Sequence, residues 1–144
     1  MRRMQTLLAV LSVFIVFPAL AACRDGGGSI NQDQLITRLS SDNPPLLLDV
    51  RTPQEFAIDH IPGAVNIPYD QLPNRLAELG LSKNRELVVY CETGGRAAIA
   101  EATLRKAAFQ DVLHLEGDMS HWRRHGHPIE HGVKSRHETG YGYE

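Results

Sequence analysis

The sequence predicts an α/β fold built on a mostly parallel sheet with helices on both faces. Two observations carry this. Short apolar runs of strand length recur at 46–50, 64–67, 87–90 and 111–115, and segments with helical spacing or helix-capping residues lie between them. In addition, Leu87-Val88-Val89-Tyr90 feeds Cys91-Glu92-Thr93-Gly94-Gly95-Arg96, and a helical pattern runs on from Ala97 to Ala108. Strand, Gly-containing turn and helix in that order place Cys91 at the carboxyl end of a strand, where open parallel sheets bind ligands.

The elements follow in order. Leu35, Ile36 and Leu39 share one helical face over 32–39, and Ser29 with Gln32 three residues on is the expected cap. Asn43-Pro44-Pro45 breaks the chain before the buried strand Leu46-Leu47-Leu48-Asp49-Val50. Thr52-Pro53-Gln54-Glu55 is a capping box with Pro at the first helical position. Ile61-Pro62-Gly63 turns the chain, with Gly63 at a positive φ, and Ala64 to Ile67 is a short strand. Asp70 is expected to cap a helix ending at Leu79-Gly80, and Asp118 a last helix through Trp122, a core anchor.

The N-terminus reads differently. Arg2 and Arg3 precede an apolar stretch from Leu7 to Phe17, too short to span a bilayer and arranged like an export signal over residues 1–22. Leu20-Ala21-Ala22-Cys23 resembles the lipobox of bacterial lipoproteins, which implies lipid on Cys23 and a membrane-anchored protein. The alternative is an ordinary secretory signal that leaves Cys23 free. Residues 23–29 then form a flexible tether, 30–131 the domain, and 132–144 a disordered polar tail. In Gram-negative lipoproteins an Asp after the Cys goes with inner-membrane retention. Arg24 at that position points to the periplasmic face of the outer membrane.

Composition excludes several classes. Loss of residues 1–22 removes Arg2 and Arg3 and takes the formal charge from −2 to −4, without a basic stripe for nucleic acid. Of the two Cys, lipidation of one leaves Cys91 as the only thiol, so a disulfide-stapled scaffold is excluded. A helix N-terminus favours a thiolate, and Arg96 offers a fixed cation. Cys91 is therefore the candidate nucleophile, with Glu92, Thr93, Gly94, Gly95 and Arg96 as the anion cradle around it. The other reading of Cys91 is a buried, inert thiol. His121, His125, His127 and His131 cluster without Cys or Asp, and Pro128 interrupts them. They are read as a solvated His-rich end rather than a metal site.

Four ordered segments together resemble the single-domain rhodaneses. They are Leu48-Asp49-Val50-Arg51 with Glu55-Phe56, then His60 to Ile67, then the C-x-x-G-x-R loop at 91–96, and finally Leu115-Glu116-Gly117 with Trp122 and Gly126-His127-Pro128-Ile129. The resemblance implies a three-layer α/β fold with a five-stranded sheet. It also implies sulfurtransferase activity through a Cys91 persulfide, with no metal or organic cofactor. The donor would be thiosulfate, a polysulfide or a thiol persulfide, and the acceptor cyanide or a thiol. The loop holds four residues between Cys91 and Arg96, one fewer than in rhodanese-fold phosphatases and arsenate reductases, which are the runner-up class. A non-catalytic persulfide carrier or docking module is the third.

Three positions depart from the family pattern. Glu92 stands where thiosulfate-active relatives often have a basic or neutral residue; facing a dianion about 6 Å away, it would repel by roughly 2–3 kcal/mol. Ala97 replaces a frequent Ser, and the second Gly often seen between Gly117 and Trp122 is missing. Asp49, Arg51, Glu55 and His60 are read as structural, with Arg51 and Glu55 spaced to pair and His60 bonding to backbone.

Overall fold

The computed structural model describes residues 27–80 and 83–132. Residues 1–26 and 133–144 lie outside it, and with them the export signal, Cys23, the start of the tether and nearly all of the tail. Among the described residues, no helix is long and apolar enough to cross a membrane.

The chain runs β1 (Gly28–Ile30), α1 (Gln32–Leu39), β2 (Leu46–Asp49), α2 (Pro53–Ile58), β3 (Val65–Asn66) and α3 (Leu72–Arg75), which tightens into a 3-10 turn (Leu76–Leu79). β4 (Leu87–Tyr90), α4 (Gly95–Lys106), β5 (Val112–Leu115) and α5 (Asp118–Arg124) complete it. The sheet order is β1-β5-β4-β2-β3 with every pairing parallel, the five-stranded architecture the resemblance implies.

The side-chain alternation of a strand divides the core. On β4, Leu87 and Val89 face α4 and join Leu48, Ala97, Ala100, Leu104 and Phe109. Val88 and Tyr90 face the other way, onto Leu35, Ile61, Met119 and Trp122. All four β4 residues are fully buried, so both faces of the central strand are covered. Fully burying one such side chain stabilises by about 1.5–3 kcal/mol. Trp122 anchors α5 as expected, donating its Nε1–H to the Pro128 carbonyl at 2.8 Å.

Local signals explain most element starts. Thr52 and Glu55 form the expected capping box, with Pro in the first turn. Gly63 adopts φ +80 in its turn. Other expectations are corrected. Gly28 and Ser29, assigned to the tether, form β1 against β5, where a Cβ on Gly28 would meet Leu113 Cδ2 at 2.7 Å. Ser29 is thereby in a strand, and α1 is capped instead by Asn31 with Gln34. Asp70 does not cap α3, whose N-cap is Gln71 without a side-chain bond. Asp118 is not the cap of α5 either; Gly117 holds that position, and Asp118 is the first helical residue with φ +52.

Candidate active site

β4 ends at Tyr90, and Cys91 follows at the carboxyl edge of the sheet, at its most covered strand. Glu92, Thr93 and Gly94 bend over the cysteine, and α4 starts at Gly95, two residues earlier than the helical pattern predicts. The tight turn requires Gly94 at φ +101, a conformation open chiefly to glycine. Its N–H donates to Cys91 Sγ at 3.0 Å. The N–H groups of Gly95, Arg96 and Ala97 belong to the first helical turn, which has no intrahelical acceptor for them. The sulfur thus sits beside one N–H already bound to it and a helix start that favours negative charge. Cys91 is only 1 % exposed, while Thr93 and Gly95 are exposed.

Three ion clusters brace the turn. On one side, Arg96 forks onto Glu55 with both terminal nitrogens, each at 2.7 Å. That contact, with help from Thr52 and against partial burial, pulls Glu55 from its ordinary 4.5 down to about 2. Arg96 is pushed up in turn, by Glu55 first and in smaller part by the Cys91 sulfur. The Arg96 fork thereby ties the cysteine loop to α2.

Arg51, 1 % exposed, does not pair with Glu55 as its spacing suggests. It folds back on Asp49 at 2.7 Å and reaches Asp59 and Glu92 at 3.3 Å. Arg123 on α5 forks onto Glu92 at 2.7 Å through both terminal nitrogens and holds Asp59 at 2.6 Å through Nε. Glu92 is lowered by the Arg123 contact above all, and Asp59 is lowered because the two arginines outweigh its burial. Glu92 is thus ion-paired with both Arg123 and Arg51.

On the other side, Asp118 Oδ1 accepts the Cys91 N–H at 2.7 Å, and Oδ2 lies 3.1 Å from His114 Nε2. His114 Nδ1 meets Glu101 Oε1 at 2.7 Å. Glu55, Arg123, Asp118, His114 and Glu101 were not predicted as site residues. The sequence singled out Glu55 and Asp118 only as structural residues, a capping or pairing partner and a helix cap.

His60 bonds to backbone, its Nδ1 2.8 Å from the Phe56 carbonyl, and bridges to Glu130. The rings of His121, His125 and His127 lie within 6 Å of one another in sequence order, by 5.7 and 5.9 Å. Among the described residues no His, Cys, Asp and Glu group is arranged to hold a metal.

Among the described residues, the parallel α/β sheet carries one cysteine, buried at its carboxyl edge with the Gly94 N–H on its sulfur. The chain belongs to the rhodanese family, since the rhodanese-like domain model matches residues 31–125. It is 39 % identical over 100 residues to a protein named sulfurtransferase from Allochromatium vinosum, covering 69 % of this chain and 92 % of that one. It is 37 % identical over 102 residues to the probable adenylyltransferase/sulfurtransferase MoeZ of Mycobacterium tuberculosis, covering 71 % of this chain but 26 % of that larger protein. A crystal structure of a rhodanese-like domain protein from Staphylococcus aureus superposes with a TM-score of 0.63 at 33 % identity, covering 74 % of this chain and 99 % of that one.

Proposed function

We propose that this protein is a sulfurtransferase that carries sulfane sulfur on Cys91. The observation that carries the reading is the Cys91 sulfur held at 3.0 Å by the Gly94 N–H, beside a helix start, in a loop with four residues before Arg96. In the first step the thiolate attacks the outer sulfur of thiosulfate. The S–S bond breaks, sulfite leaves with its electron pair, and Cys91 holds a persulfide anion. In the second step cyanide attacks the terminal sulfur, thiocyanate leaves, and the thiolate returns. Each step exchanges one S–S or C–S bond for another, so neither needs an oxidant or a reductant. Covalent catalysis divides one difficult transfer into two easier ones. The backbone N–H groups around Cys91 stabilise the negative sulfur in both.

The compensated Glu92 keeps thiosulfate within reach as a donor, alongside polysulfide and thiol persulfides. A short loop is tight for a tetrahedral phosphate, which sets the phosphatase and arsenate reductase reading behind. The export-signal reading places the domain on the periplasmic side of a membrane, held by lipid on Cys23. Steady-state release of thiocyanate from cyanide with each donor, beside Cys91→Ser, tests the activity. Turnover that the substitution abolishes supports an enzyme. Loading without turnover supports a persulfide carrier, and no loading with either donor removes the sulfur reading.

A further inference from the structure

Asp118 stands at φ +52, a backbone conformation that residues other than glycine rarely adopt, and it is 3 % exposed. Such a position is retained only when surrounding contacts hold it. Here the contacts are specific. One carboxylate oxygen takes the N–H of the nucleophile itself at 2.7 Å, and the other meets His114. Both ring nitrogens of His114 face carboxylates, Asp118 from α5 and Glu101 from α4. An imidazole can donate from both nitrogens only as the cation. Arg105 pairs with Glu101 at 2.6 Å. Around His114 the histidinium and Arg105 stand against the Asp118 and Glu101 carboxylates. The cluster also packs beneath the turn: a Cβ on Gly94 would lie 3.2 Å from Asp118 Oδ2 and 3.5 Å from His114 Cε1.

We propose that Asp118 and His114 are positioning residues that set the reactivity of Cys91, with the histidinium cancelling the charge of the carboxylate that grips the cysteine N–H. This deepens the reading of Cys91 as the reacting thiolate and rests on it. The nitrogen and sulfur of one cysteine are three bonds apart, so the carboxylate lies within about 7 Å of Sγ. At that distance an uncompensated charge changes the thiolate population by about tenfold or less after solvent screening. Asp118→Asn keeps an acceptor for the Cys91 N–H and, on the acid side of the His114 titration that Asp118 itself helps to raise, leaves the cluster one charge positive. His114→Gln leaves it one charge negative. The two substitutions therefore act in opposite directions, which a purely structural role would not produce.

The pH dependence has a definite sign. The Asp118 contact first, and Glu101 with it, raise the His114 titration above its ordinary range. Below that titration the histidinium faces both carboxylates. As pH rises through it, the histidine loses its proton and the wild type converges on His114→Gln.

The test is the iodoacetamide alkylation rate of Cys91 in the full chain across pH, for wild type, Asp118→Asn, Asp118→Gly and His114→Gln. On the acid side of the His114 titration in each protein, both Asp118 variants should react about fivefold faster than wild type, and His114→Gln about fivefold slower. The gap between wild type and His114→Gln should close as pH rises. Asp118→Gly suits the positive φ, so the carboxylate can be removed without backbone strain. Equal rates, or changes of the same sign in Asp118→Asn and His114→Gln, overturn the proposal. Sulfur loading from polysulfide, measured on the same samples, separates the two readings. Loading without the predicted order of rates sinks the positioning role alone; the order without loading sinks the sulfur reading and leaves the support standing.

Discussion

Replacing Glu55 with Gln removes one charge and one of the two acceptor oxygens from the clamp between α2 and the cysteine loop. The Gln oxygen can still accept the Thr52 N–H that Glu55 accepts at 3.0 Å, so the helix cap survives. Glu55 titrates at about 2 instead of 4.5, with the Arg96 fork as the largest cause. At about 1.4 kcal/mol per unit, that shift corresponds to about 3 kcal/mol of folding free energy. The two side chains are 33 % and 27 % exposed, and solvent screening reduces the figure to about 1–2 kcal/mol. The sign is fixed by which state holds the proton. The folded value lies below the unfolded one, so the stabilisation is complete above pH 4.5 and is lost as pH falls toward about 2. Urea unfolding of wild type and Glu55→Gln across that acid range is the assay. The wild type should lead by about 1–2 kcal/mol near neutral pH, and the lead should shrink steadily below pH 4.5. A gap that stays constant into acid, or no gap near neutrality, would refute the assignment of the shift to Arg96.

Arg123→Ala should free Glu92 toward the donor and slow thiosulfate loading by about tenfold, with a smaller effect on an uncharged polysulfide ester and partial relief by added salt; equal slowing of both donors would count against a charge effect. Gly94→Ala forces a side chain into φ +101, with its Cβ 3.2 Å from Asp118 Oδ2. It should cost about 1–3 kcal/mol in unfolding experiments and lower the loading rate of Cys91. For the N-terminus, labelled palmitate should enter the full chain expressed in a Gram-negative host and be lost in Cys23→Ala. Unlabelled wild-type protein would favour the ordinary secretory signal.

Much of the site was legible because its signals are local. The apolar run 87–90, the Gly94-Gly95 pair and the helical pattern after it place Cys91 without any tertiary information, and Thr52 to Glu55 is a self-contained cap. What escaped was set by contacts distant in sequence. β1 has only Ile30 as an apolar residue, and it is a strand because β5 pairs with it. Once Ser29 is drawn into that pairing, the capping role passes to Asn31, which has an equally suitable side chain. Charge partners were the least readable. Four-residue spacing joins Arg51 to Glu55 on paper, yet Arg51 folds back on its own strand and Glu55 finds Arg96 across 41 positions. Glu92 looked exposed to the donor because its counter-ion, Arg123, arrives from a helix 31 positions on.

The central claim is that Cys91 carries sulfur. Intact-mass spectrometry of the full chain carrying Cys23→Ala, after exposure to thiosulfate or polysulfide, addresses it most directly, with Cys91→Ser in the same background beside it. The account predicts a gain of about 32 Da, one sulfur on the nucleophile, that cyanide removes and that the variant never shows. An unchanged mass with both donors, or a gain that persists in Cys91→Ser, would contradict it.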